Sequence, residues 1–164
     1  TEAEVMLLSS ESKEFTLKNI LAEYESKFDY IIIDCPPSLN ILTVNALTAA
    51  TGVLIPVQCE FFALQGLSEL MTTIDTIKSS SNQNLVIKGI IRTMFDPRNN
   101  LATDVSAQLL KFFDDKLYRT IIPRNITLAE APSHGLPVIK YDKNSKGALS
   151  YLSLVGEILK QEKL

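Results

Sequence analysis

The sequence has one histidine, two cysteines and six glycines in 164 residues, and each shortage excludes a class of site. A single histidine, His134, cannot build a His-x-x-x-His zinc helix, and a Ser-His-Asp triad would have to use it. None of the six glycines is followed by lysine, so the phosphate loop G-x-x-x-x-G-K-[S/T] is absent, and so is G-x-G-x-x-G. The chain therefore holds no glycine loop of its own for phosphates.

Long apolar runs and disulfide candidates are also missing. No run approaches the roughly 18 apolar residues of a membrane span, and no basic-then-apolar signal segment opens the chain. Cys35 and Cys59 do not form a C-x-x-C pair, so we expect two buried thiols of a cytosolic protein. With 46% hydrophobic and 21% charged residues, the composition is that of one soluble domain able to bury its own core.

Charge is unevenly distributed around a net value of −3. Residues 1–35 carry three lysines against eight acidic residues, whereas residues 119–146 carry five basic residues against two acidic ones. The second region is either a solvated, mildly basic face or a surface that faces anions.

Strand and helix patterns alternate along the chain. The predicted strands cover residues 3–8, 28–34, 52–57, 84–95 and 117–122. The predicted helices cover residues 13–26, 40–50, 63–79, 101–114 and 146–162, with a helical turn at 127–131. Continuous hydrophobicity in the strands is typical of strands buried on both faces, so the sequence predicts an α/β fold with a mainly parallel sheet flanked by helices.

Several residues lie at or just beyond the ends of these strands, at the edge where α/β folds bind ligands. They are Asp34, Gln58–Glu60, Thr93–Arg98 and Pro123–Asn125. Asp34 is the most informative, because three isoleucines precede it and a charge there is costly without cations, water or hydrogen bonds. It is either an acid that organises Mg²⁺ beside nucleotide phosphates or a structural acid capping a neighbouring helix. Pro36 and Pro37 fix a rigid turn directly after it and favour the first interpretation.

The segment Phe28–Ser38, FDYIIIDCPPS, resembles the Walker B and switch II region of ParA/Soj-type chromosome- and plasmid-partitioning ATPases. The resemblance continues in order, at the family's spacing, over roughly residues 28–160. The matching segments are 45–49 (NALTA), 55–66 (IPVQCEFFALQG), 93–94 (TM), 122–125 (IPRN), 128–135 (LAEAPSHG) and Pro137.

This resemblance implies a P-loop NTPase-like fold, ATP and Mg²⁺ as ligands, and an ATP-dependent homodimer. It also implies DNA binding without sequence preference, ATP hydrolysis stimulated by a ParB/Spo0J-like protein, a cytoplasmic, nucleoid-associated location and no membrane attachment. By the same resemblance Asp34 holds Mg²⁺ and is the catalytic acid, and Pro36 and Pro37 begin switch II. Thr93, Met94, Pro123, Arg124 and Asn125 line the adenine side, and Arg98 and Arg124 face DNA. His134 is expected to support a turn.

The family's Lys-Gly-Gly-Val-Gly-Lys-Thr loop is not found here, nor is the strand carrying the switch I acid. We therefore expect residues 1–164 to be the C-terminal portion of one ParA-like ATPase domain, without its P-loop strand and helix. Thr127 stands where relatives often carry a basic residue, and Asn40 replaces a common glycine. Alone, the chain should neither bind ATP tightly nor hydrolyse it. Strands beside the Asp34 segment should come from other residues, from re-pairing or from another chain.

Two other functions are open to these residues. A MinD-type ATPase uses a C-terminal amphipathic helix on membranes, for which Leu159–Leu164 is short and mixed in charge. A receiver-like module phosphorylated on Asp34 needs an acidic pair after the first strand, where this sequence has Ser9, Ser10 and Glu11. Phosphorylation by acetyl phosphate would identify the receiver-like module.

Overall fold

A computed structural model describes residues 4, 7, 12–36, 38 and 40–162. The chain divides into two compact units. The first comprises Thr1–Val53 and Glu69–Val86, and the second comprises Leu54–Ser68 and Ile87–Leu164.

The described elements alternate between helices and strands in the second half of the chain. The strands are β1 (Gly52–Gln58), β2 (Val86–Phe95) and β3 (Leu117–Pro123). The α-helices are α1 (Thr16–Leu21), α2 (Ile41–Ala49), α3 (Ala63–Ser80), α4 (Asn100–Phe113), α5 (Ile126–Glu130), α6 (Val138–Tyr141) and α7 (Lys146–Gln161). Short 3₁₀ turns lie at Lys13–Phe15, Asp114–Lys116 and Ala131–His134.

Buried amide side chains hold the first unit together. Asn45, in α2, donates from Nδ2 to the carbonyl oxygen of Lys13 at 2.8 Å. Asn82 donates from Nδ2 to the carbonyl oxygens of Leu47 and Ala50, at 2.9 and 2.7 Å. Both amides are less than a tenth exposed. Because a buried polar group without a partner is costly, these bonds fix how α2 packs within the unit.

The second unit is built on a sheet with the strand order β1-β2-β3, in which β2 and β3 pair in parallel. Helix α7 packs against β3, and their shared core contains Ile91, Tyr118, Ile122 and Leu154. The prediction of a parallel sheet flanked by helices is confirmed. The carboxyl ends of β2 and β3 consequently lie side by side, at Phe95 and Pro123.

Most predicted elements of residues 40–162 are confirmed, with ends moved by one or two residues. The strands predicted at 52–57, 84–95 and 117–122 are β1, β2 and β3. The helices predicted at 40–50, 63–79, 101–114 and 146–162 are α2, α3, α4 and α7, and the predicted turn at 127–131 is α5. Among the described residues, no helix is long and apolar enough to cross a bilayer.

The predictions for residues 1–34 fare worse. Residues 28–34 form no strand, and Ile32 is 90% exposed. A parallel strand obtains its hydrogen bonds from neighbouring strands, and no described residue pairs with this segment as a strand. The strand predicted at 3–8 is also wrong where it can be compared, since Glu4 and Leu7 are helical, and its other residues lie outside the described ones. The helix predicted at 13–26 ends at Leu21.

Candidate functional site

Asp34 belongs to the first unit and is exposed at the end of the apolar stretch Phe28–Ile33. An exposed carboxylate can reach a ligand from solvent, as the magnesium interpretation requires. Its neighbour Cys35 is also exposed, so the prediction of a buried thiol is wrong there, whereas Cys59 is buried as predicted. Pro36 is exposed, and Pro37 lies outside the described residues.

The donor set around Asp34 decides which metal site it fits. Among the described residues, no group of three His, Cys, Asp or Glu side chains could hold a metal ion. Mg²⁺ takes hard oxygen ligands and usually keeps several waters, being held by one or two carboxylates together with phosphates. A single accessible carboxylate fits that mode of binding and does not fit a metal site made wholly of protein ligands.

The other predicted site residues belong to the second unit and lie at the adjacent ends of β2 and β3. Phe95 stands opposite Pro123, and the amide of Arg124 donates to the carbonyl oxygen of Phe95 at 3.0 Å. Thr93 and Pro123 are half-buried, whereas the Arg124 side chain is exposed. The structure therefore brings these two segments together through backbone hydrogen bonding, with the side chains of Met94 and Arg124 exposed to solvent.

Met94 has a backbone conformation that is rare for its residue type. Its φ is 49°, in the left-handed region, and its side chain is 49% exposed. A residue with a Cβ pays about 1–2 kcal/mol for that conformation. It coincides with an irregularity of the ladder between Arg92 and Phe95. Strain and bulges of this kind concentrate at functional sites, where they redirect side chains.

Asn125 has a structural task at the same edge. Its Oδ1 caps α5 by accepting from the amide of Leu128 at 3.2 Å. Gly147, the second residue of α7, lies so close that a Cβ there would stand 2.9 Å from this oxygen and 2.5 Å from Leu128 Cγ. The Oδ1 atom of Asn125 is therefore engaged in capping α5.

An acidic residue that sequence reasoning did not single out pairs with Arg98. The Arg98 guanidinium donates from Nε and Nη2 to the two carboxylate oxygens of Asp96, at 3.0 and 2.8 Å. The Arg98 amide donates to the same carboxylate at 3.0 Å. The hydrogen bonds from Arg98, with a further contribution from the charge of Arg124, hold the pKa of Asp96 at about 2. Arg98 thus presents an exposed but partly neutralised charge. The sequence Asp-Pro-Arg is typical of a turn, and this turn could have indicated that Asp96 and Arg98 lie close together.

A second feature missed by sequence reasoning lies just beyond β1. Phe61 and Phe62 are 74% and 70% exposed, and their rings meet edge to face with centroids 5.0 Å apart. Together with Gln58, Glu60 and Ala63 they line an open cavity of about 390 Å³. The sequence analysis had placed Gln58–Glu60 at the edge of the sheet where ligands bind. The two adjacent phenylalanines that follow directly could have indicated an exposed aromatic pair there.

His134 stacks on Tyr141, with ring centroids 4.9 Å apart. The Tyr141 hydroxyl donates to a carboxylate oxygen of Glu130 at 3.4 Å, which links the 3₁₀ turn Ala131–His134 and α6 to α5. These contacts are in keeping with the expected supporting role of His134.

Comparisons with known proteins bear on all of these residues. The AAA_31 family model, described as an AAA domain, matches residues 1–87, just over half of the chain. The sporulation initiation inhibitor protein Soj of Bacillus subtilis is 51% identical over 156 residues, which cover 95% of this chain and 62% of Soj. The chromosome partitioning protein ParA of Myxococcus xanthus is 49% identical over 162 residues, covering 99% of this chain and 57% of that protein.

A solved structure shows the same fold. Cobyrinic acid a,c-diamide synthase from Mycobacterium smegmatis, with a bound ATP analogue and magnesium, matches with a TM-score of 0.78 at 33% identity. The match covers 98% of this chain and 58% of that one. The chain thus spans about three fifths of the length of the proteins it resembles.

Proposed function

The chain belongs to the AAA_31 family of AAA domains, and from this premise we propose that residues 1–164 are the C-terminal portion of a Soj- and ParA-like ATPase that segregates chromosomal or plasmid DNA. The observation that carries the proposal is the 51% identity to Soj over 95% of the chain. The matched region covers 156 of the 164 residues, so the similarity extends far beyond any single motif.

The proposed chemistry is hydrolysis of ATP with Mg²⁺. Asp34 holds the metal, for which its exposed carboxylate is suited, and is the catalytic acid of the site. Pro36 and Pro37 begin the switch segment behind it. Thr93, Met94, Pro123, Arg124 and Asn125 line the adenine side, and the adjacency of the two strand ends supports that grouping.

DNA is the second proposed ligand. Arg98 and Arg124 are exposed at the same end of the sheet, where guanidinium groups suit phosphate oxygens. Binding is without sequence preference, because such contacts reach only the phosphate backbone. It requires the ATP-dependent homodimer and places the protein on the nucleoid in the cytoplasm, and a ParB-like protein stimulates hydrolysis.

The chain alone is proposed to be inactive. Phosphoryl transfer depends on positioning and on neutralising the phosphates, and the sequence contains no phosphate loop to do either. The remaining two fifths of the relatives' length is where we place the P-loop strand and helix, and the strands that pair with residues 28–34.

The test measures DNA binding and ATP hydrolysis by the complete ATPase with ATP and Mg²⁺. Arg98→Ala and Arg124→Ala should each reduce the slope of log affinity against log salt by about one. Arg119→Ala is the matched control, because this exposed arginine lies in β3, before the strand end. Asp34→Asn should abolish Mg²⁺-dependent hydrolysis.

Two results would overturn the proposal. One is equal salt slopes for the wild type and both strand-end variants, and the other is hydrolysis that survives Asp34→Asn. Binding to anionic lipid vesicles in place of DNA would favour the MinD-type ATPase instead.

A further inference from the structure

The ladder between β2 and β3 shifts register twice just before the strand ends. Ile90 faces Leu117 and Arg92 faces Ile121, so β3 uses four residues where β2 uses two. Phe95 then faces Pro123, so β2 uses three residues where β3 uses two. The two bulges leave a net shift of one residue at the strand ends. In a pleated strand a shift of one residue exchanges the faces of every following side chain.

Arg92 satisfies the carbonyl groups of the β3 bulge. This arginine is only 5% exposed, and its Nη2 donates to the carbonyl oxygens of Tyr118 and Arg119, at 3.0 and 3.3 Å. Its Nη1 donates to Ser106 Oγ in α4 at 3.0 Å. Its Nε finds no hydrogen-bond partner in the part of the chain that the structure describes. Burying a guanidinium with an unpaired donor is costly, so its place in the strand calls for a compensating role.

Glu157 of α7 satisfies the amide groups of the same bulge. Its two carboxylate oxygens accept from the amides of Arg119 and Thr120, at 2.7 and 3.0 Å. Burial raises the pKa of Glu157, but these hydrogen bonds outweigh burial and hold the pKa below its usual value. Arg119 consequently has its carbonyl bound by Arg92 and its amide bound by Glu157. The charged side chains of Arg92 and Glu157 thus form hydrogen bonds with backbone groups of the bulge, in place of the strand-to-strand hydrogen bonds that a bulge interrupts.

We propose that Arg92 and Glu157 are positioning residues that lock the β3 bulge and thereby set the register of the nucleotide-side strand ends. The β3 bulge determines that Pro123 is the residue of β3 that faces Phe95, and Arg124 comes directly after Pro123. The compensating bulge in β2 contains Met94 in its left-handed conformation. The register is a property of this chain, and its consequence for ATP rests on the proposed function.

The test uses Arg92→Lys and Glu157→Gln. In Arg92→Lys, a single ammonium group cannot reach Ser106 and the carbonyl oxygens of Tyr118 and Arg119 together, as the guanidinium does. In Glu157→Gln, the side-chain NH₂ replaces one carboxylate oxygen and cannot accept a hydrogen bond from a backbone amide. Arg119→Lys and Glu162→Gln are the controls, because the bulge uses only the backbone of Arg119 and Glu162 pairs with Lys88 at 3.7 Å. Two readouts are measured on this chain by NMR: the Met94 methyl resonance, which is one of three methionine methyl resonances, and the Arg124 amide resonance. The third readout is the ATP dissociation constant of the complete ATPase.

Both test variants should shift the two resonances and weaken ATP binding about tenfold, and both controls should leave them unchanged. Variants that melt earlier, yet keep the Met94 and Arg124 resonances and the wild-type affinity, would show a merely structural role and refute the proposal. If the wild-type ATPase binds no ATP, the proposed function fails. The two resonances then decide by themselves whether Arg92 and Glu157 set the register.

Discussion

Gly147 offers the sharpest test of how the Asn125 loop is held. A Cβ at this position would lie 2.5 Å from Leu128 Cγ, where ordinary contacts begin near 3.4 Å, so the leucine would have to move by nearly 1 Å. Leu128 packs against the buried cluster of Ile91, Tyr118, Ile122 and Leu154, which restricts that movement. Overpacking of this kind costs about 1–3 kcal/mol, and the helix propensity of alanine returns at most about 1 kcal/mol. Gly147→Ala should therefore lower the free energy of unfolding by about 1–2 kcal/mol.

Gly156→Ala is the matched control in the same helix. A Cβ at Gly156 meets no heavy atom within 4 Å, so only the helix propensity changes, and this variant should be more stable by up to about 1 kcal/mol. Urea unfolding monitored by circular dichroism measures both changes. For a chain of this size, the two variants should melt roughly 2–12 °C apart.

The free energy of unfolding should fall in Gly147→Ala and rise in Gly156→Ala. Equal shifts in the same direction would show that Leu128 and Asn125 yield freely, and the description of a tightly packed loop would be wrong. The Arg124 amide resonance should also move in Gly147→Ala and not in Gly156→Ala, because Asn125 is the next residue in the chain.

Three further outcomes follow from other parts of the molecule. Met94→Gly should raise stability to urea by about 1 kcal/mol by removing the cost of a left-handed backbone, while weakening ATP binding by the complete ATPase; a loss of stability would show that φ is unstrained. The pKa of Asp96 lies at about 2, below its ordinary 3.8, so its contribution to stability is complete above pH 3.8 and is lost as the pH falls toward 2. Asp96→Asn should flatten that part of the curve of urea midpoint against pH, and identical curves would contradict the Arg98 pairing. Isothermal calorimetry of this chain with ATP should show no micromolar binding, although Asp34 is exposed.

The sequence predicted the strands and helices that pair and pack with one another in the part of the chain that the structure describes. β1 to β3 were recognised because their β-branched runs lie between clear turn residues, and the long helices because their apolar residues recur at helical spacing. The strand at 28–34 failed for the opposite reason. Its composition favours a strand, but a strand exists only where neighbours accept its hydrogen bonds. Helix α6 has four residues behind Pro137, too few to show any periodicity.

The hydrogen bonds between side chains of the candidate site, and from side chains to its backbone, could not be predicted from the sequence. The predicted strand at 84–95 runs through Arg92, and only the structure shows that the Arg92 guanidinium donates to the backbone of β3. The pairing of Asp96 with Arg98 depends on a turn whose shape the residue types suggest but do not fix. By contrast, the residues at strand ends could be named in advance, since the edge that a parallel sheet presents to ligands follows from topology alone.

The bare stretch from Phe28 to Ile33 has a consequence for handling the protein as well as for its chemistry. It combines aromatic and β-branched residues with no proline and a single charge, a composition prone to stacking into cross-β fibrils when left uncovered. Whatever shields it must also fix where the carboxylate of Asp34 points, because the two are adjacent in the chain. Colloidal stability and magnesium affinity should therefore rise together when strands that pair with this stretch are supplied in trans.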